Sequence, residues 1–337
     1  MNKRRPKAID LFSGCGGLTL GLKFAGYQVL AGVEVDAKAS ETYALNHPDV
    51  SLFHQDIREI EVSKMMRHLD LKEGKLDLLA ACPPCQGFSR IRTRNGASTN
   101  ADPRNDLALK FLEFAKVLKP KHLLLENVPG LCKQAVWKKI VLGLKREGYK
   151  LREAIVDASD FDVPQRRRRL ILLGSKGDSV PNAPLRSDQK RTVRDALQGM
   201  DSSGGDALHE MKTRRSASVQ EIISAIPKDG GSRSDLPERL RLACHNRTNG
   251  FSDVYGRMQL DSVAPTITSG CHNPSKGRFI HPTEDRAISL REAALLQGFP
   301  IDYKFNISHG KEAIALMIGN ALPPPMIKAH AAALLGS

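Results

Sequence analysis

Cys82-Pro-Pro-Cys85 sets two thiols around a pair of prolines, directly after the apolar run Leu76–Ala80. Thiols at this spacing admit three chemistries: a redox dithiol, half of a zinc site, or a single nucleophile. A redox pair wants its second cysteine inside a helix opened by the first, where Pro84 is awkward, and zinc wants a second pair nearby, whereas Cys132 stands alone. In the third chemistry Cys85 is a nucleophile held by the prolines on a fixed turn. A free thiol is only slightly ionised at neutral pH and needs a cationic or hydrogen-bonding neighbourhood. Arg90, Arg92 and Arg94 follow, with no acid before Asp102.

A second constellation lies at Asp10-Leu-Phe-Ser-Gly-Cys-Gly-Gly-Leu18, between a first apolar run and a helix-like segment. Glycines there let backbone amides approach a ligand, and a helix N-terminus favours negative groups. Glu34 ends the next apolar run twenty residues after Gly14, the distance at which a carboxylate can take both hydroxyls of a ribose. An adenosine-type ligand follows, with Asp56, at the end of a weak strand Leu52–Ile57, receiving the adenine amine. Gly14, Gly16 and Gly17 match the dinucleotide fingerprint only in part, so a tight turn without a ligand and a nicotinamide-dependent oxidoreductase stay open on this loop alone.

These residues need a scaffold that gathers strand ends. Short apolar runs at Ala8–Phe12, Gln28–Glu34, Leu76–Ala80, His122–Glu126 and Leu170–Leu173 alternate with helical stretches such as Ser40–Asn46 and Leu107–Lys116. That is the rhythm of a doubly wound α/β domain, in which ligands bind beyond the carboxyl ends of the strands. From Gly177 to about Glu284 the rhythm is lost among scattered Gly, Ser and Pro, which reads as a second, irregular domain. Regular patterning returns at Ser289–Gln297 and in a final apolar helix, Pro325–Leu335.

Composition narrows the class further. The 337 residues are 41% hydrophobic and 26% charged, which excludes a disordered or collagen-like chain. No stretch approaches the roughly 18 to 20 apolar residues of a membrane span, and no apolar signal core follows the basic start, so a cytoplasmic protein is expected. The formal net charge is +14, which suggests a polyanionic partner. The excess is uneven: residues 101–200 carry 21 basic and 12 acidic side chains, while residues 201–285 carry 11 of each.

Four further segments complete a pattern. They are Glu126-Asn-Val, Gln165-Arg-Arg-Arg-Arg, Arg291-Glu-Ala-Ala-Leu-Leu-Gln-Gly-Phe-Pro and Gly319-Asn-Ala-Leu-Pro-Pro-Pro. Together with Phe12-Ser-Gly-Cys-Gly-Gly and Pro83-Pro-Cys-Gln-Gly-Phe-Ser, and in this order, the chain resembles the bacterial DNA (cytosine-5) methyltransferases along nearly its whole length. The resemblance implies a Rossmann-like S-adenosylmethionine-dependent methyltransferase domain over 1–180 and 305–337, with a smaller target-recognition domain over 181–304. It implies transfer of a methyl group to C5 of a flipped-out cytosine in double-stranded DNA, in a restriction–modification setting. A monomeric, nucleoid-associated enzyme is expected, with a cognate endonuclease acting separately and no metal.

The resemblance also implies roles. Cys85 would add to cytosine C6, raising electron density at C5. Glu126 would bind N3 and the exocyclic amine. Arg167 and Arg169, alternating onto one face if 164–170 is extended, would complete the catalytic set, with Arg169 on the cytosine O2. Phe12, Gly14, Gly16, Gly17, Leu18, Glu34, Val35, Asp56, Ile57, Asn320 and Ala321 would surround S-adenosyl-L-methionine. Val35 stands where many relatives carry an aromatic residue to stack on adenine, leaving Ile57 to supply an apolar contact. Asn320 has a second reading, as a cap of the final helix. Gln86, Ser89, Arg90, Arg92, Arg94, Gln165 and Thr266 would face DNA, and Asn273-Pro-Ser-Lys-Gly-Arg-Phe reads as a DNA-facing turn. Cys244-His245 and Cys271-His272 invite zinc, but adjacent residues on a strand point oppositely. An RNA methyltransferase with the same motifs competes, as does a non-catalytic DNA-binding protein. The long middle region favours DNA over the first, and the intact Cys85, Glu126 and Arg169 argue against the second.

Overall fold

The computed structural model describes residues 4–84, 107–200, 205–211, 213–241 and 253–336. Cys85, Gln86, Ser89, Arg90, Arg92, Arg94 and the Cys244-His245 pair lie outside them. The chain forms two compact units: residues 1–161, 168–188 and 322–337 make the first, and residues 162–167 and 189–321 the second. These units differ from the domain limits expected from sequence in that 162–167 and 305–321 group with the second and 181–188 with the first.

The first unit is built on one seven-stranded sheet in the order β3-β2-β1-β4-β5-β7-β6. Its strands are β1 Lys7–Leu11, β2 Gln28–Glu34, β3 Ser51–His54, β4 Leu78–Ala81, β5 His122–Asn127, β6 Tyr149–Asp157 and β7 Arg168–Lys176. β1 to β5 pair in parallel, while β7 runs antiparallel to both β5 and β6. This is the doubly wound, Rossmann-like sheet that the alternating pattern implies. Central strands are buried on both faces and therefore read as unbroken apolar runs, as in Leu78–Ala81 and Leu123–Leu125. β6 escapes that signature. It is an outer strand, mostly exposed, and carries Lys150, Arg152 and Glu153, the charged dress that keeps a sheet edge from pairing with other chains.

Helices cover the sheet. Gly17–Phe24 packs against the C-terminal helix Pro324–Leu335 at Gly21, where a Cβ would come within 2.5 Å of the Ile327 Cβ. Leu107–Leu118 and Ala135–Arg146 bury Phe111, Phe114, Trp137 and Ile140 in the main core.

Among its described residues the second unit has short helices, including Ala217–Ala225, Leu290–Leu296 and Lys311–Asn320, and isolated bridges in place of a sheet. Its Ile222, Ile223, Ile226, Leu236, Tyr255 and Ile280 form a small core. Beside that core lies Arg257, 0% exposed. Its guanidinium donates to the carbonyls of Ile223, Ile226, His281 and Glu284 and to the Asp285 carboxylate. A planar fork with five donors can tie loops together where no ladder of backbone bonds does so.

Candidate active site

The turn after β1 is shaped by backbone conformation. Phe12, Gly14 and Gly16 all have positive φ, at 63°, 55° and 99°; the two glycines adopt this region freely, whereas Phe12 does so under strain. Ser13 ties the turn to β2, its amide donating to the Val33 carbonyl and its hydroxyl oxygen accepting from the Val33 amide. A Cβ on Gly14 would meet nothing within 4 Å, so open space adjoins the loop. Glu34, at the end of β2, accepts from the Gly14 amide on Oε2 (2.7 Å) and from the Val35 and Asp36 amides on Oε1. The loop and the carboxylate expected to share a ligand are thus joined directly.

Val35 beside it is 62% exposed. Asp56 is half-buried and pairs with the Arg58 guanidinium, whose hydrogen bonds pull the Asp56 pKa down to about 2. Ile57 corrects an expectation: it is 4% exposed and packed in the main core with Ile60, Val62 and Met65, so it has little surface to offer a ligand. Leu18 is buried in the same way. An open cradle beside Gly14, a fixed carboxylate, an exposed apolar side chain and an ionised Asp56 fit the adenosine half of S-adenosylmethionine.

Beneath the turn lies a buried group that the motifs do not reveal. Asp10 Oδ2 accepts from the Thr19 hydroxyl (2.7 Å), which lies 2.8 Å from the Tyr43 hydroxyl. Burial, with Glu34 nearby, drives the Asp10 pKa to about 8 despite the Thr19 bond. The available signal was an acid inside an otherwise apolar strand.

The second cluster assembles where β5 ends. Glu126 and Asn127 are its last residues, and in the antiparallel register Glu126 faces Ile171 while Asn127 faces Leu170. Directly paired residues share a face, and so does the residue two positions on. Arg169 therefore reaches Glu126 diagonally, with Nε 2.8 Å from Oε1. The Cys82 thiol donates to Glu126 Oε2 at 2.9 Å. Asn127 Nδ2 donates to the Pro83 carbonyl (3.0 Å) and its Oδ1 accepts from Val128. The Cys82-Pro-Pro turn, which leads to Cys85, is thus fastened to the Glu126-Asn-Val segment. Sequence reasoning set Cys82 aside as half of a discarded pair and passed over Asn127.

In the second unit Gln165 is fully buried. It donates to the Leu296 carbonyl and the Gln297 side chain and accepts from the Ile267 amide. A DNA-facing role for Gln165 is therefore corrected: its amide group is consumed inside the unit. Arg167 is corrected likewise. Its guanidinium donates to the carbonyls of Ile267, Gly319 and Ala321, because β7 begins only at Arg168 and the arginine alternation breaks there. The Thr266 hydroxyl donates to the Arg166 carbonyl at 2.7 Å.

Gly319 sits where a Cβ would strike the backbone of Thr268 and Ser269 at 2.3 Å. Asn320 closes its helix, while Pro323 precedes Pro324–Leu335 with no side-chain cap, so the capping role for Asn320 falls away. The Ala321 carbonyl also accepts from Gln297. Asn273 caps Pro274–Lys276, and Arg278 is held by the carbonyls of Gly230, Gly231 and Arg257, so that much of the supposed DNA-facing turn is committed internally. Cys271 is buried and its thiol pushed up to about 12 by desolvation, whereas His272 lies near Glu312. Among the described residues no three His, Cys, Asp or Glu gather as metal ligands.

Comparison with known proteins converges on one family. The chain is 34% identical over 331 residues to the type II methylase M.HgiDII of Herpetosiphon aurantiacus, covering 94% of this chain and 91% of that protein. It is 33% identical over 337 residues to the type II methyltransferase M1.HphI of Haemophilus parahaemolyticus, covering 97% and 86%. Its structure resembles that of a putative DNA modification methyltransferase encoded within an Escherichia coli prophage, with a TM-score of 0.72, 26% identity, and 98% and 99% of the two chains covered. The family model for C-5 cytosine-specific DNA methylases matches residues 6–336, and this chain belongs to that family.

Proposed function

We propose that the family's reaction, methylation of cytosine C5 in DNA, is carried out here by Cys85, Glu126 and Arg169 on duplex DNA, as the modification half of a restriction–modification pair. The observation that carries the assignment is the Glu126–Arg169 pair, buried at the end of β5 and tied to the turn that leads to Cys85. The type II names of M.HgiDII and M1.HphI support the restriction–modification setting.

The cofactor is S-adenosyl-L-methionine, which supplies an electrophilic methyl group on a sulfonium when bound. Glu34 would accept from the ribose hydroxyls, keeping the Gly14 amide as its own anchor. Asp56, ionised beside Arg58, would accept from the adenine amine, and the exposed Val35 would lie against the ring. Asn320 and Ala321 keep their proposed place in cofactor binding on the resemblance alone.

The cytosine must leave the duplex, because its ring carbons cannot be attacked from above while stacked, and flipping costs a few kcal/mol that contacts with the extruded base offset. Glu126 would accept from the exocyclic amine and, carrying a proton, would donate it towards N3 as Cys85 adds to C6. Arg169, bound to Glu126, would sit by the cytosine O2 and steady negative charge as it develops on the ring. The Cys85 thiolate would then form a bond to C6, C5 would take the methyl group, and loss of the C5 proton would break the bond to Cys85. The basic excess in residues 101–200 supports contact with phosphates, and Arg90, Arg92 and Arg94 are proposed for the same backbone. Thr266 would stiffen the segment at Arg166 through its hydroxyl. A cytoplasmic monomer completes the reading.

The test is transfer of labelled methyl groups from S-adenosylmethionine to unmethylated duplex DNA, with the product base identified by digestion. Transfer to C5 of cytosine that Cys85→Ser abolishes is expected. Transfer to RNA alone, or full activity of Cys85→Ser, would overturn the reading.

A further inference from the structure

The geometry points to Cys82 as a positioning residue for Glu126: a thiol donor that fixes the carboxyl plane while no base is bound and gives up its place to the cytosine amine. This inference rests on the reading of Glu126 as the group that holds the base.

Glu126 has one oxygen on Arg169 and the other on the Cys82 thiol. The terminal torsion of a glutamate is broad and only loosely two-fold. A single contact on one oxygen leaves the carboxyl free to turn about it, whereas an ion pair on one oxygen and a thiol donor on the other set its plane. Cys82 is well placed for this, since its amide donates to the Leu11 carbonyl (3.2 Å) and thereby fixes the end of β4 against β1. One residue on, the Pro83 carbonyl is held by Asn127. Cys82-Pro83 and Glu126-Asn127 are therefore joined twice, side chain to side chain and side chain to backbone, so the thiol and the carboxyl cannot drift apart independently.

The choice of sulfur has a physical consequence. A thiol is a weak donor compared with an alcohol or an amine. When an exocyclic N–H of cytosine approaches Oε2, the bond given up is weak and the bond gained is stronger. A serine at this position would orient the carboxyl as well but compete harder with the base. An alanine would compete with nothing and orient nothing. Cys82 neither attacks the base nor loses its proton in this role.

The experiment measures methyl transfer by the full chain on unmethylated duplex DNA at saturating S-adenosylmethionine, for wild type, Cys82→Ala and Cys82→Ser. The alanine variant is expected to lose roughly tenfold in kcat, the scale of one hydrogen bond to a charged group. The serine variant is expected to recover most of that kcat but to raise the KM for DNA about threefold, in keeping with its stronger competing bond. Wild-type kcat and KM in Cys82→Ala would overturn the inference, as would an unchanged KM in Cys82→Ser. If the alanine variant fails to fold, the KM of the serine variant decides. Failure of the wild type itself to methylate cytosine would instead sink the functional reading beneath it, so the two failures are told apart.

Discussion

Arg169 Nε stands 2.8 Å from Glu126 Oε1 because β7 runs antiparallel beside β5 and sets the two residues diagonally across one face of the sheet. A parallel β7 would deliver its first residues to the opposite end of the strand. The pair is 15% and 3% exposed, so each charge depends on the other for compensation.

Removing the cation alone is therefore expected to be costly. Arg169→Met should destabilise the first unit by about 3–5 kcal/mol, the usual scale for leaving a buried partner unpaired, while Arg169→Met with Glu126→Gln should recover much of that loss. Neither should transfer methyl groups at a measurable fraction of the wild-type rate. Denaturant titration alongside the methyl-transfer assay checks both halves, and a double variant no more stable than the single one would contradict the coupling.

Asp10 predicts how stability varies with pH. Its pKa is about 8 in the folded chain and near 3.8 when unfolded, so between those values the folded state holds a proton that the unfolded state has released. Its contribution is fully present below about pH 4 and is lost as pH rises towards 8, at about 1.4 kcal/mol per pH unit. Asp10→Asn removes this dependence. Its melting temperature relative to wild type should rise from pH 5 to pH 8 and level off above; a constant difference across that range would show that Asp10 is ionised throughout.

Gln165 and Arg167 are predicted to act on folding before they act on DNA. Gln165→Ala breaks three contacts inside the second unit and should cost about 2–4 kcal/mol, each buried group left unsatisfied costing about 1–3. The slope of DNA affinity against salt concentration should stay as in wild type, because no phosphate contact is removed. A shallower slope with unchanged stability would return Gln165 to the DNA surface.

Arg257 should be among the most sensitive positions of the second unit. Arg257→Lys keeps the charge but cannot serve four carbonyls and a carboxylate from one fork. It should lower stability by about 3 kcal/mol or more and speed proteolysis within residues 213–285. Wild-type protease resistance in this variant would rule out the fork as the tie of the unit.

Much of the frame was legible because buried parallel strands must be continuously apolar. Gln28–Glu34 has the same limits in sequence and structure, and His122–Glu126 extends by one residue. β6 was missed because an edge strand is free to carry Lys150, Arg152 and Glu153. The helix Lys311–Asn320 was missed as well, since its apolar positions do not form a clean stripe.

The order of motifs by itself determined the family and its reaction, because glycine turns, a cysteine that follows two prolines and a glutamate at a strand end are local features that a linear pattern can carry. Tertiary structure alone decided which arginine meets Glu126, that Gln165 and Arg167 are spent on the frame of the second unit, that burial raises the Asp10 pKa, and that the Cys82 thiol rests on the Glu126 carboxyl. Those outcomes depend on strand direction, on burial and on competition among carbonyls for a limited number of donors, and residue spacing along a chain records none of the three.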